Sequence, residues 1–244
     1  MEIQLDEGFQ FGLGAFETIA VVENHPVFLR EHLKRLEGAQ RFLGISQPVS
    51  ETEVYAWISA HPMDNGALKI AVSKENRLFL PRENHYTEEM YDKGFTAGFA
   101  ETRRNETSPL TGYKTMNYGD CILEKRRASG LGWDEAVFLN IRGEICEGTV
   151  SNIFFVKDGN IYTPEKCCGI LPGIMRGYLM ENYTVEEGVF FPEDLGQFSE
   201  CFVTNSLMGV MPVMQLGERV FERRGMADCL RKEYRREVQR IILS

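Results

Sequence analysis

Two residues 33 positions apart, Lys114 and Glu147, have side chains suited to carbonyl and proton chemistry. Lys114 follows Pro109 and Gly112, residues that fit a turn. Behind it runs an amphipathic stretch with Met116, Cys121, Ile122 and Leu123, closing at Ser129-Gly130 in the manner of a helix C-cap. This pattern predicts a loop-to-helix junction, from which the amine can project into a cleft. An amine that is partly desolvated beside other cations loses its proton easily and attacks carbonyl carbons. Glu147 sits in ICEGTVSNIFFVK, read as a strand that follows the strand WDEAVFLN and the turn NIRGE. Two further features suit an anion. Arg35 lies between the apolar positions of a helical run, where it can reach the edge of the buried face. Pro172-Gly173-Ile174 reads as a helix start, whose backbone N–H groups attract negative charge. Taken singly, each has an ordinary reading: a solvated lysine, a surface glutamate, an exposed helix arginine and a proline-initiated helix.

The elements that must position these residues follow from periodicity. Phe16–Val22 reads as a strand, Glu23–Pro26 as a tight turn, and Arg30–Ile45 as a helix ended by Gly44. Thr52–Ala60 reads as a helix. Ala67–Lys74 and Arg77–Pro81 read as strands joined at Glu75-Asn76, and Gly94–Arg104 as another strand. Polar residues, Pro109 and Gly112 cluster at 105–112 and suggest a domain boundary there. The expected fold class is α+β: a small α/β domain over residues 1–107, and a larger, mainly antiparallel domain over 108–244. Asp158-Gly159 marks a hairpin tip. Ser199–Val213 reads as a strand followed by a turn. The tail reads as a packing helix with Leu230, Tyr234, Val238 and Ile241 on one side.

The 244 residues suffice for one large or two modest domains. A formal charge of −9 argues against a nucleic-acid partner. No apolar run is long enough to span a bilayer. None of the six cysteines forms a CxxC pair or has a histidine at zinc-ligand spacing, so no metal is expected; they read as reduced thiols of a cytoplasmic protein. Gly12-x-Gly14 lacks the third glycine of a dinucleotide fingerprint, with Glu17 in its place and no strand ahead of it. A nucleophile elbow is also missing.

The order Lys114-Thr115-x-Asn117-Tyr118, Asp134-Glu135-Ala136, Glu147-Gly148-x-x-Ser151-Asn152-Ile153-Phe154, Gly169-Ile170-x-Pro172-Gly173-Ile174-x-Arg176 resembles the fold-type IV (class IV) pyridoxal-phosphate enzymes. That family includes branched-chain and D-amino-acid aminotransferases and aminodeoxychorismate lyases. The resemblance runs from about Phe11 to Val213 and implies the two-domain architecture of the family. It implies pyridoxal 5′-phosphate as cofactor, with Lys114 as the residue that condenses with its aldehyde and Glu147 beside the pyridine nitrogen. His32-Leu33-Lys34-Arg35-Leu36 matches the motif whose arginine binds the cofactor phosphate. A guanidinium fork suits that group better than a lysine does. The resemblance further implies the amides of Ile174 and Met175 as phosphate donors, with Asn205-Ser206 beside them. It implies a homodimer acting on a small molecule.

Within the family, the runs Arg103–Tyr118 and Thr204–Val213 resemble the lyases, which form 4-aminobenzoate and pyruvate for folate synthesis. Thr18 matches a threonine near the lyase substrate, although transaminases can carry it too. The arginine-x-arginine-x-histidine element of D-amino-acid aminotransferases is not evident, and the family's aspartate between Gly12 and Gly14 is replaced by Leu13. An amino-acid transaminase is the alternative activity. A catalytically silent cofactor-binding protein and a binding module with no cofactor are the alternatives of another class.

Overall fold

The computed structural model describes residues 2–243. Its contacts divide the chain into two units. The first holds the chain up to His85, Tyr113–Tyr118 and the stretch from Glu237; the second holds Tyr86–Gly112 and Gly119–Arg236. A boundary at 107/108 therefore falls inside the second unit. The reason is strand pairing: residues 95–99, assigned to the small domain from the sequence, pair in parallel with strands at 213–216 and 135–137.

The first unit contains α1 (Glu7–Phe11), β1 (Ala15–Val22), β2 (His25–Pro26), α2 (Leu29–Leu43), α3 (Glu51–Ala60), β3 (Asn65–Val72) and β4 (Arg77–Glu83). The strands form an antiparallel sheet in the order β2-β1-β3-β4. Strand alternation sends Ala15, Ile19 and Val21 into a core with Leu36, Val54 and Ile58 of the helices. The same alternation carries Glu17 to the core face and turns Phe16 and Thr18 to the opposite one. Gly44 ends α2 in the left-handed region, as expected of its C-cap glycine. Ser50 and Glu53 close a capping box on α3.

The second unit contains α4 (Glu88–Lys93), β5 (Phe95–Phe99), α5 (Gly119–Gly130), β6 (Glu135–Leu139), β7 (Ile145–Gly148), β8 (Asn152–Lys157), β9 (Asn160–Pro164), α6 (Ile174–Asn182), β10 (Val185–Gly188), β11 (Glu200–Asn205), β12 (Gly209–Leu216) and β13 (Arg219–Val220). The final helix, α7 (Gly225–Leu243), begins here and buries Leu230 and Tyr234. The sheet order is β10-β9-β8-β11-β12-β5-β6-β7, with β13 on β12. Its pairings are antiparallel apart from β10/β9, β12/β5 and β5/β6.

Two local expectations change. Met116 lies outside the helix that follows Lys114, and Ile122 and Leu123 of that helix are exposed. Cys121 and Ala128 turn inward instead, because α5 packs on β6 through small side chains. The single strand expected over 145–157 is two strands, broken at Thr149–Ser151. Buried Glu135 makes that break: it accepts hydrogen bonds from Thr149 N at 3.2 Å, from the Thr149 hydroxyl and from Ser151 Oγ at 2.8 Å. Among the described residues no helix is long and apolar enough to cross a membrane, and no cluster of His, Cys, Asp or Glu could hold a metal ion.

Candidate active site

In the first unit, Glu17 has no solvent exposure although it carries a charge. Arg35 grips it with a fork, Nε to Oε1 and Nη2 to Oε2, both 2.7 Å, and His32 Nδ1 donates to Oε2 at 2.7 Å. Burial alone would raise the Glu17 carboxyl, but the Arg35 charge and fork, with His32, outweigh it and bring the group to about 2. Burial holds His32 below its ordinary value against the pull of Glu17. Nδ1 carries the proton given to Glu17, and His32 Nε2 is buried without a partner. Arg35 lies on the inner edge of α2 as its spacing predicted. Its fork, expected for a phosphate, is already closed on Glu17.

Lys114 lies in an extended segment of the first unit rather than at the helix junction expected. That segment lines β1: Phe16 N donates to Lys114 O at 3.0 Å, Thr115 bridges Ala15, and Met116 N donates to Gly14 O at 2.7 Å. The glycine pair makes this approach possible. A Cβ on Gly14 would stand 2.5 Å from the Met116 sulfur, and one on Gly12, at φ 71°, 2.7 Å from Asn117 Oδ1. Lys114 Nζ stands 4.5 Å from the Phe16 ring centre and 5.0 Å from that of Tyr118. A second ammonium, Lys69 Nζ, stands 4.5 Å from the same Phe16 ring. Burial and then nearby Arg82 hold Lys69 below its ordinary value. Lys69 is paired across the sheet with Thr18, so Phe16, Thr18 and Lys69 share one face.

In the second unit, Glu147 is held by N–H donors. Arg104 Nη2 reaches Oε1 at 2.6 Å, while Leu171 N and Asn152 Nδ2 reach Oε2 at 3.0 and 3.3 Å. Asn152 also donates to Leu171 O at 2.9 Å. The loop carrying Leu171 runs straight into α6, where Gly173 is the N-cap and supplies no side-chain cap to the amides of Ile174 and Met175. A Cβ on Gly173 would lie 2.0 Å from Asn152 Oδ1, so glycine is required there. The Glu-Gly-x-x-Ser-Asn motif thus has a physical reading. Glu147 presents the carboxylate, Gly148 admits Ser151 and Glu135, and Asn152 braces both Glu147 and the approach to α6. Asn205 spends its side chain on its own turn, accepting from Leu207 N and Met208 N at 2.9 Å and donating to Tyr86 and Val150. Asn205 thus shapes the turn in which Ser206 lies.

Of the residues expected from the sequence, Lys114, Thr18 and Arg35 belong to the first unit. Glu147, Ile174, Met175, Asn205 and Ser206 belong to the second. Sequence reasoning assigned no role to Glu17, His32, Lys69, Arg104 or Asn152. Glu17 left a signal, a lone acid in a strand that is apolar but for Thr18. Arg104, beside Arg103 in a polar stretch, left none.

Comparison with known proteins shows the family and the fold. The family model described as amino-transferase class IV matches residues 14–216. The aminodeoxychorismate lyase of Vibrio harveyi is 30% identical over 230 residues, which cover 85% of this chain and 84% of that protein. The crystal structure of 4-amino-4-deoxychorismate lyase from Pseudomonas aeruginosa superposes with a TM-score of 0.85 at 26% identity, covering 96% of this chain and 95% of that one. The branched-chain aminotransferase of Thermoproteus uzoniensis, solved with norvaline, shares the fold at 23% identity and a TM-score of 0.82, covering 94% and 86%. With its motifs in order on this fold and most of its length matched, the chain belongs to the class IV aminotransferase family.

Proposed function

We propose that the protein is a pyridoxal-phosphate-dependent aminodeoxychorismate lyase. The residues present suit the cofactor. Glu147 is a shielded carboxylate whose oxygens are held by N–H donors, fit to keep a proton on the pyridine nitrogen. The uncapped amides of Ile174 and Met175 at the start of α6, together with Ser206, suit the phosphate. In the first unit, Arg35, anchored by Glu17, supplies a cation suited to the same group. Lys114 supplies the amine. Bound pyridoxal 5′-phosphate supplies a protonated ring that draws electron density from the substrate carbon bearing the amino group.

The observation that carries the lyase reading is the face shared by Phe16, Thr18 and Lys69. Aminodeoxychorismate brings two carboxylates. Lys69, a half-buried ammonium on the same aromatic ring as Lys114, is suited to hold one of them, and the Thr18 hydroxyl can orient the ring. Lys114 Nζ takes the proton from the amino-bearing carbon as general base. The ring C–O bond then breaks, leaving an aromatic ring, and the departing enolate takes a proton at its methylene carbon to become pyruvate. Atoms balance without any second substrate. The similarity to lyases over most of the chain supports the same reading.

Purified protein incubated with aminodeoxychorismate should release 4-aminobenzoate and pyruvate in equal amounts with no keto acid added. Amino transfer from alanine, glutamate or a branched-chain amino acid, without lyase turnover, would establish the transaminase activity instead.

A further inference from the structure

We infer that Arg104 is a positioning residue that fixes the orientation and charge of Glu147, so that a bound pyridine nitrogen meets a preformed carboxylate. This rests on the cofactor reading above. Glu147 is held from three separate segments: the bend after β5, the start of β8 and the loop before α6. Leu171 N and Asn152 both reach Oε2. Arg104, at 2.6 Å from Oε1, aims a fixed cation at the other oxygen.

Arg104 is itself held firmly. Its N–H donates to Leu139 O at 2.9 Å, and its backbone bridges Asn140. Its guanidinium lies 4.4 Å from the centre of the Phe138 ring, and Nη2 also touches Cys121 Sγ at 3.6 Å. The strand β6 and the helix α5 thus aim one guanidinium at one carboxylate oxygen.

Stability alone does not account for this pair. Burying both charges costs solvation, and an apolar pair of similar volume often serves as well. Arg104 Nε is in addition buried without a partner, a further cost to folding. A carboxylate that must stay ionised and aimed, by contrast, needs a fixed cation behind it. Of the two oxygens, the one gripped by Arg104 is the one that Leu171 and Asn152 leave alone.

The test compares two ligands on the full chain: pyridoxal 5′-phosphate and its 1-deaza analogue, in which a C–H replaces the ring nitrogen. Binding is followed by absorbance titration, with circular dichroism to check folding. Arg104→Gln should weaken pyridoxal 5′-phosphate by about 10- to 100-fold, the worth of a charge-assisted hydrogen bond. The analogue, which asks nothing of Glu147, should change by less than about threefold. Arg104→Lys should fall between wild type and Arg104→Gln with the cofactor, and it carries the same comparison if Arg104→Gln does not fold. In a Glu147→Gln background the change at Arg104 should add little, because the two act as a unit. Equal losses for both ligands, or no loss for either, would overturn the role of Arg104 while leaving the cofactor reading in place. A wild-type protein that binds neither ligand would overturn both.

Discussion

Replacing Glu17 by glutamine probes the charge arrangement on which the first unit depends. Glu17 is fully buried and serves as counter-ion to Arg35, itself only 14% exposed along its side chain. A carboxyl near 2 in the folded chain, against an ordinary 4.5, contributes about 3 kcal/mol to stability at neutral pH. Glutamine keeps the shape and one acceptor oxygen but leaves the guanidinium without its counter-charge, a change that costs about 3–5 kcal/mol when a buried pair is broken. Urea unfolding at pH 7 should therefore show a loss of about 3 kcal/mol. The pH dependence has a definite sign. Because the folded value lies below the unfolded one, the contribution is complete above the unfolded value of 4.5 and drains away as pH falls toward 2. The gap between wild type and variant should be flat near neutrality and narrower by about 1 kcal/mol at pH 4. A gap below about 1 kcal/mol at pH 7, or one of equal size at pH 4 and pH 7, would refute the ionised, Arg35-paired carboxylate.

Borohydride treatment of cofactor-loaded protein followed by peptide mapping should place the pyridoxyl label on Lys114; a label on Lys69, which shares the Phe16 ring, would exchange the roles of the two amines. Arg35→Ala should weaken cofactor binding by about 2–5 kcal/mol and also lower stability, since Glu17 is left buried without its partner. Unchanged affinity in a titration would leave Arg35 serving Glu17 alone. Gly173→Ala would push a methyl to 2.0 Å from Asn152 Oδ1, so a thermal melt should show a loss of about 1–3 kcal/mol along with weaker cofactor binding. Gly177→Ala, in the same helix with open space at its Cβ, should be neutral or stabilising by up to about 1 kcal/mol, and an equal loss at both sites would remove the special standing of Gly173.

Local chemistry alone was enough to read a good part of this protein. Gly44 ending α2, Asp158-Gly159 turning the β8–β9 hairpin at positive φ, and the strand character of β1 are dictated by residues a few positions apart. The motif order around Lys114, Glu147 and Gly173 was legible for the same reason, because it is a linear pattern. What the side chains do with one another was not. The partner of Arg35 is Glu17, 18 residues away, and the partner of Glu147 is Arg104, 43 residues away. No periodicity links such positions; only the packing of α2 on β1, and of the bend after β5 beside β7, brings them together. Lys114 shows the same limit. Its neighbours read as the start of a helix, yet the segment lies along β1, because Gly12 and Gly14 leave room there and the backbone hydrogen bonds to Phe16 and Gly14 are satisfied only in that place.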